Sequence, residues 1–396
     1  MFSRRTPVNL SLNRLALATR EARKADRRLI DLTQSNPTRA GFDYPADLLA
    51  PLAEGRGLVY MPEPLGMPAA REAVAAEYDR MGVSVSPSHI ALTASTSEAY
   101  SLLFKILCDP GDEVLVPRPS YPLFEHLARL DAVRTTWYDL EYHGRWSIDF
   151  ETLERALSAR SRALLLVSPN NPTGSFVGRD EIERLTALAA AHDIAIIADE
   201  VFAEYELVPG ARRRAGPILT TDDALCFALG GLSKSVGLPQ MKLAWIAVSG
   251  PSDATVGALE RLELACDTYL SVSTPVQAAA AELLHRGATV RRQIQRRIVE
   301  NYGALAAAVA GSPACRLLEA EGGWYGVLQV PSFSPEEDLV IDLLMNDGVL
   351  VHPGYFFDFP RESFLIISLL APEAEFLDGI SRVLRHFDCS VGRRQS

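Results

Sequence analysis

Between residues 89 and 250 the chain alternates short apolar runs with amphipathic stretches, and this rhythm constrains its fold more than any other feature. HIALTAS, DEVLVP, AVRTTWYDL, RALLLVSP, IAIIAD, ALCFALG and LAWIAVSG read as strands. SEAYSLLFKILCD, YPLFEHLARL, FETLERALSA and RDEIERLTALAAAH read as helices between them. The strand runs are rich in Val, Ile, Leu and Ala and show no clean polar–apolar alternation. Runs of this kind belong to strands covered on both faces of a mainly parallel sheet. Repeated βα units predict an α/β, doubly wound domain, where ligands gather at the carboxyl ends of the strands.

A chain of 396 residues is expected to form two domains. Residues 286–396 combine an Arg-rich helix, VRRQIQRRIVENYGALAAAVAG, with short strands and a final helix, which reads as a smaller α+β domain. Residues 1–44 are expected to join it, leaving 45–285 as the large domain. The basic N-terminal stretch has no uninterrupted apolar core of signal-peptide length and reads as an amphipathic helix capped near Asn9 or Ser11. No apolar run approaches the roughly 18 residues that span a bilayer, so a soluble cytoplasmic protein without a membrane partner is expected.

A net charge of -11 argues against a nucleic-acid partner, which needs a basic face. Cys108, Cys226, Cys266, Cys315 and Cys389 are odd in number, scattered and without a CxxC pair, which fits reduced thiols better than disulfides or a zinc site. His126, His192 and His352 lack ligand spacing, so no metal is expected. The arginines at 291–297 read as a solvated helix face.

Four segments fall at predicted strand ends. SPNNPTG (168–174) follows RALLLV, and taken alone could be a plain loop. Asp199 closes IAIIAD; an acid there is costly to bury unless a cation meets it. TASTSEAY places small hydroxyl residues at a helix start, suited either to a phosphate or to simple capping. GGLSKSVGLPQMKLAWI (230–246) holds two of the chain's four lysines, in a protein whose other basic residues are 35 arginines.

SPNNPTG, ADEVF and GLSK, in this order and spacing, resemble the class I/II aminotransferases, fold-type I enzymes dependent on pyridoxal 5′-phosphate (PLP). LVYMPEPLGMPAAREAVA, DPGDEVLVPRPSYPLF, EGGWYGVLQVP and GVLVHPGYFF resemble further segments of that family, so the likeness covers almost the whole chain. The implied fold is a large domain with a mainly parallel sheet plus a smaller α+β domain. The resemblance implies that Lys234 forms the Schiff base with PLP and moves the proton between substrate Cα and the cofactor's C4′. Only an amine that can become neutral serves this purpose; a guanidinium cannot. It further implies that Asp199 keeps the pyridine nitrogen protonated, that Asn171 donates to the ring 3′-oxygen and that Tyr121 stacks on the ring. Thr96 and Ser97, with Ser95 nearby and Ser233 as a further ligand, would hold the phosphate. Tyr60 would reach the phosphate of a second subunit, which implies a homodimer with shared sites. Gly322–Gly323 and Trp324 would border the substrate.

Three positions depart from the family pattern. Its phosphate arginine, eight residues after the Schiff-base lysine, is here Lys242, read as a point charge replacing a bidentate fork. The usual tyrosine three residues after the pyridine-pairing acid is Phe202, leaving the 3′-oxygen contact to Asn171 and predicting a raised pKa for the lysine imine. The arginine that binds the substrate α-carboxylate is replaced by Ile366 in SFLIISLLAP. Either another cation substitutes, with Arg39 the best-placed candidate and Arg361 a weaker one, or the substrate lacks an ordinary α-carboxylate. The resulting expectation is an aminotransferase acting on an amino donor and a 2-oxo acid. The missing arginine leaves open a β-eliminating lyase or a biosynthetic cyclase or decarboxylase. A PLP-binding regulatory domain is disfavoured, because no room for a DNA-binding module precedes Asn36.

Overall fold

The computed structural model describes residues 1–211, 216 and 218–395, with side chains described to residue 389. The chain opens with helix α1 (Arg14–Lys24) and the short strand β1 (Ile30–Asp31). The central sheet contains β2 (Ile90–Thr93), β3 (Glu113–Arg118), β4 (Arg134–Tyr142), β5 (Trp146–Ile148), β6 (Ser161–Val167), β7 (Ala195–Asp199), β8 (Cys226–Gly231) and β9 (Ala244–Ser249). Their spatial order is β2-β9-β8-β7-β6-β3-β4-β5. From β8 through β4 every neighbouring pair is parallel. Strand β9 runs against both β8 and β2, and β5 folds back on β4. Two reversals restore the direction, so β2 delivers its carboxyl end to the same edge as β8.

The lack of polar alternation in these strands has a direct packing cause. Leu164, Leu166, Ile196, Ala198, Cys226 and Ala228 enter an apolar core with helix α2 (Pro68–Arg80) and helix Arg179–His192. Their neighbours Ala163, Leu165, Val167, Ala195, Ile197, Phe227 and Leu229 enter a second core with helix α3 (Thr96–Leu107) and helix Ser252–Tyr269. Because side chains alternate between faces, both parities must be apolar. Each fully buried Val, Leu or Ile contributes about 1.5–3 kcal/mol, so a few such residues offset one buried acid at a strand end.

A second, antiparallel sheet orders β10 (Arg316–Leu318), β11 (Tyr325–Gln329), β14 (Phe364–Ser368) and β13 (His352–Pro353). Strand β12 (Val349–Leu350) pairs in parallel with β1. Leu15, Ile30 and Leu32 share one core with Ile366 and Phe376, and Arg14 meets Glu337 at 3.1 Å and Asp338 at 2.7 Å. The 31-residue helix Ala280–Ala310 is roughly 45 Å long and joins the two layers. Its Leu283 and Leu284 lie in the central-sheet core, whereas Val290, Ile294 and Ile298 lie in the other. Among the described residues no helix is long and apolar enough to cross a membrane.

Two local expectations fail. Asn13, rather than Asn9 or Ser11, caps α1 by accepting the Ala16 N–H at 2.8 Å; Asn9 accepts the Ser11 N–H instead and makes a turn ahead of the helix. The Arg291–Arg297 run is not uniformly solvated. Arg291 is largely buried against Glu77 and Glu204 at 3.0 and 3.1 Å, and Arg297 donates to the Leu370 carbonyl while covering the Phe42 ring. Arg292 and Arg296 between them are exposed.

Candidate active site

The carboxyl ends of β2, β3, β6, β7 and β8 meet at one edge, and the predicted polar residues follow them. Asp199 is the last residue of β7, two positions beyond Ile197, so pleating turns it to the α3 face. It is 7% exposed. One oxygen, Oδ1, accepts the Val201 N–H at 3.2 Å, and Oδ2 accepts the Tyr100 hydroxyl at 3.1 Å. Burial pushes its pKa up to about 6, against the opposing pull of the Val201 N–H, the Tyr100 hydroxyl and the Lys234 charge.

Lys234 sits on the helical turn Leu232–Ser235 that follows β8. Its carbonyl accepts the Tyr205 hydroxyl, which anchors the turn from below. Nζ lies 5.0 Å from the Trp324 ring centre and 5.6 Å from that of Phe202, close enough for cation–π attraction. Burial lowers the amine's pKa to about 8, and Asp199 partly restores it. A lysine so placed has a substantial neutral fraction near neutral pH, which a nucleophile or proton carrier requires. Trp324 is itself fully buried, packs edge-on against Phe202 and Tyr205, and keeps its indole N–H without a hydrogen-bond partner.

The SPNNPTG loop leaves β6 and binds the site to the second sheet. Asn170 donates to Ser120 at 3.3 Å, beside Tyr121, and accepts from Thr173 at 3.0 Å. Gly174 has φ +72, and a Cβ there would come within 2.6 Å of the Gly322 carbonyl. Its own carbonyl accepts the N–H groups of Glu321 and Gly322 at 2.9 and 2.8 Å. Only glycine permits this approach, and it fixes the turn that presents Trp324. The Gly322 turn therefore ties the two layers together. Asn171 is buried and its Oδ1 has no partner among the described residues.

At the end of β2, Ser95 caps α3 by accepting the Glu98 N–H at 3.1 Å, while Glu98 accepts the Ala94 N–H at 2.6 Å. Ser95 is thus committed to the helix start. Thr96 and Ser97 are half-buried in the first turn, and among the described residues no group engages their hydroxyls or that of Ser233. Tyr121 is half-buried and meets Phe124 edge-on at 5.7 Å; Phe124 in turn meets Tyr100 at 5.3 Å. Burial and the Asp199 charge both raise the Tyr121 pKa.

The other predicted residues make no hydrogen bond or ion pair with this cluster among the described residues. Lys242 is exposed, in a left-handed conformation with φ +53, and no ion pair engages it among the described residues. Tyr60 is 69% exposed in the single chain. Arg39 ends the turn Pro37–Arg39, exposed and without an ion pair among the described residues, and Arg361 is exposed as well. Ile366 is fully buried between Val327 and His352 of neighbouring strands, so no cation stands at that position. Sequence reading missed Tyr100 and Tyr205. Both sit in apolar surroundings, where a tyrosine reads as core, and only their hydroxyl partners reveal a further task.

The arrangement fits PLP on its own chemistry. It offers an amine depressed toward neutrality, a buried acid facing the same space, an unpartnered buried carboxamide and free hydroxyls at the start of a 12-residue helix. The family model for aminotransferase class I and II matches residues 8–379. The Escherichia coli K12 glutamate-pyruvate aminotransferase AlaA is 25% identical over 375 residues, covering 89% of this chain and 91% of that enzyme. The bovine tyrosine aminotransferase is 26% identical over 360 residues, covering 87% and 78% respectively. The Pyrococcus furiosus alanine aminotransferase structure superposes with a TM-score of 0.87 at 23% identity, covering 98% of this chain and 99% of that one. The chain belongs to the class I and II aminotransferases and is a PLP-dependent enzyme of fold-type I.

Proposed function

We propose that this enzyme moves the amino group of an α-amino acid to a 2-oxo acid through Lys234, with its site built from the residues that meet at the sheet edge. The observation that carries the reading is the Lys234 amine, packed against the rings of both Trp324 and Phe202 with its pKa lowered to about 8 by burial near the buried Asp199. Bound PLP supplies an aldehyde for the amine and a ring that withdraws electrons from the substrate's Cα. Asp199 would keep a proton on the ring nitrogen, and Asn171 would donate to the ring 3′-oxygen. Tyr121 would cover the ring, while Thr96, Ser97, Ser233 and Lys242 would hold the phosphate. Lys234 would carry the proton between Cα and C4′.

Arg39 receives the substrate carboxylate in this proposal, because Ile366 offers no charge and Arg39 is a cation with no acid paired to it among the described residues. The relatives named above act on alanine, glutamate, pyruvate and tyrosine, which sets the first donors to try. Leu58, Val59, Tyr60 and Met61 are exposed together, as are Leu264 and Tyr269. Covering such a set supports a homodimer in which Tyr60 reaches the other copy's phosphate. The proposal places 45–285 in the large domain and 1–44 with 286–396 in the small one, in a cytoplasmic enzyme. Mixing the purified holoenzyme with single amino acids and following loss of the visible cofactor band tests it. Conversion of the band with release of the matching 2-oxo acid is expected. Release of ammonia and pyruvate without an acceptor would show elimination and contradict it.

A further inference from the structure

We infer that Tyr100 is a positioning residue for the cofactor's ring nitrogen: its hydroxyl, donated to Asp199 Oδ2 at 3.1 Å, holds that carboxylate ionised and aimed at the nitrogen. The inference rests on the reading of Asp199 given above. Tyr100 is fully buried, and its ring is wedged by Phe124, edge-on at 5.3 Å, and Phe104 at 6.1 Å. A phenylalanine would fill that space equally well, so packing alone does not require the hydroxyl. Among the described residues no other group competes for it, and it reaches across from α3 to the end of β7, joining the helix that begins at Thr96 to the acid.

The carboxylate needs such help. Burial raises the Asp199 pKa to about 6, the wrong direction for a group that must stay anionic beside a cationic ring. The groups around it are few. Lys234 faces it from the turn after β8 and favours the anion, Tyr121 faces it from the turn after β3, and the Val201 N–H binds the other oxygen. A hydrogen bond to the charged form favours ionisation, and among the described residues Tyr100 supplies the one side-chain hydroxyl that does so. Without it, the proton shared between carboxylate and ring nitrogen shifts toward the carboxylate, and the ring withdraws electrons less strongly.

The test uses the holoenzyme loaded with PLP carrying 15N at the ring nitrogen. In Tyr100→Phe the 15N resonance is expected to move toward the unprotonated position at pH 7.5, and the Kd for PLP to rise roughly 10-fold or more. Phe124→Leu disturbs the same aromatic packing without touching the hydroxyl and should leave the 15N resonance in place. An unchanged resonance in Tyr100→Phe, or an equal movement in Phe124→Leu, overturns the inference. A wild-type protein that takes up no PLP at Lys234 would instead defeat the functional reading on which it stands.

Discussion

The interior of the site and its rim are built differently. Asp199, Tyr100 and Trp324 are buried and locked by hydrogen bonds or ring contacts, Asn171 is buried with its Oδ1 unpartnered among the described residues, and Lys234 packs against Trp324; Arg39, Tyr60 and Lys242 are exposed in the single chain, without an ion pair among the described residues. Burying an acid and an amine costs stability, so the interior is shaped for chemistry at the expense of the fold. The rim carries no such cost, and its residues gain partners from a ligand or a second subunit. Substitutions inside should therefore abolish the reaction or change how stability depends on pH. Substitutions at the rim should weaken binding.

The largest effect is expected for Lys234→Ala, which removes both nucleophile and proton carrier; kcat should fall at least about 10⁴-fold in steady-state assays. Asp199→Asn comes next, with activity down roughly 10³-fold and an opposite effect on the protein free of PLP. The folded pKa of Asp199 is raised from 3.8 to about 6, so the folded state binds the extra proton between those values. Stability of the wild type should fall as pH rises through that window and stay low above it. The asparagine variant should lack this loss and be more stable at pH 7.5 by up to roughly 3 kcal/mol, as read by urea denaturation. Equal stability of the two proteins would mean that the interior carries no such strain.

At the rim, Arg39→Ala should raise KM for carboxylate-bearing donors roughly 10- to 100-fold with little change in kcat, as loss of a charge-assisted contact implies. Full activity would remove Arg39 from carboxylate binding. Lys242→Ala should weaken PLP binding a few-fold, more at low salt than at high salt, as measured by equilibrium dialysis; no change would sink its role as phosphate ligand. The smallest effect concerns Phe202→Tyr, which restores a donor toward the 3′-oxygen. It should lower the pKa of the lysine imine, seen as a shifted spectral titration with kcat nearly unchanged.

Much of the interior was legible before any coordinates. Strands buried on both faces announce the sheet, and residues just past their ends are displayed at one edge whatever the loops do. Asp199 and Lys234 stood out because an acid ending an apolar strand and a lysine in an arginine-rich chain both need a reason. Partners distant in sequence were not legible. Arg291 meets Glu77 and Glu204, 214 and 87 positions away, and in an Arg-rich helix the residue type alone does not distinguish it from its neighbour Arg292. Tyr100 lies on the apolar stripe of α3, where ring and core residue look alike. The antiparallel strand β9, which returns β2 to the common direction, also follows from pairing that no local pattern encodes.

Borohydride reduction of the PLP-loaded enzyme, followed by peptide mapping, tests the central claim most directly, because the chain offers only four lysines. The account predicts a single pyridoxyl adduct on Lys234, with Lys242 unmodified. An adduct on Lys242, or no stable adduct on the GLSK peptide, would contradict it.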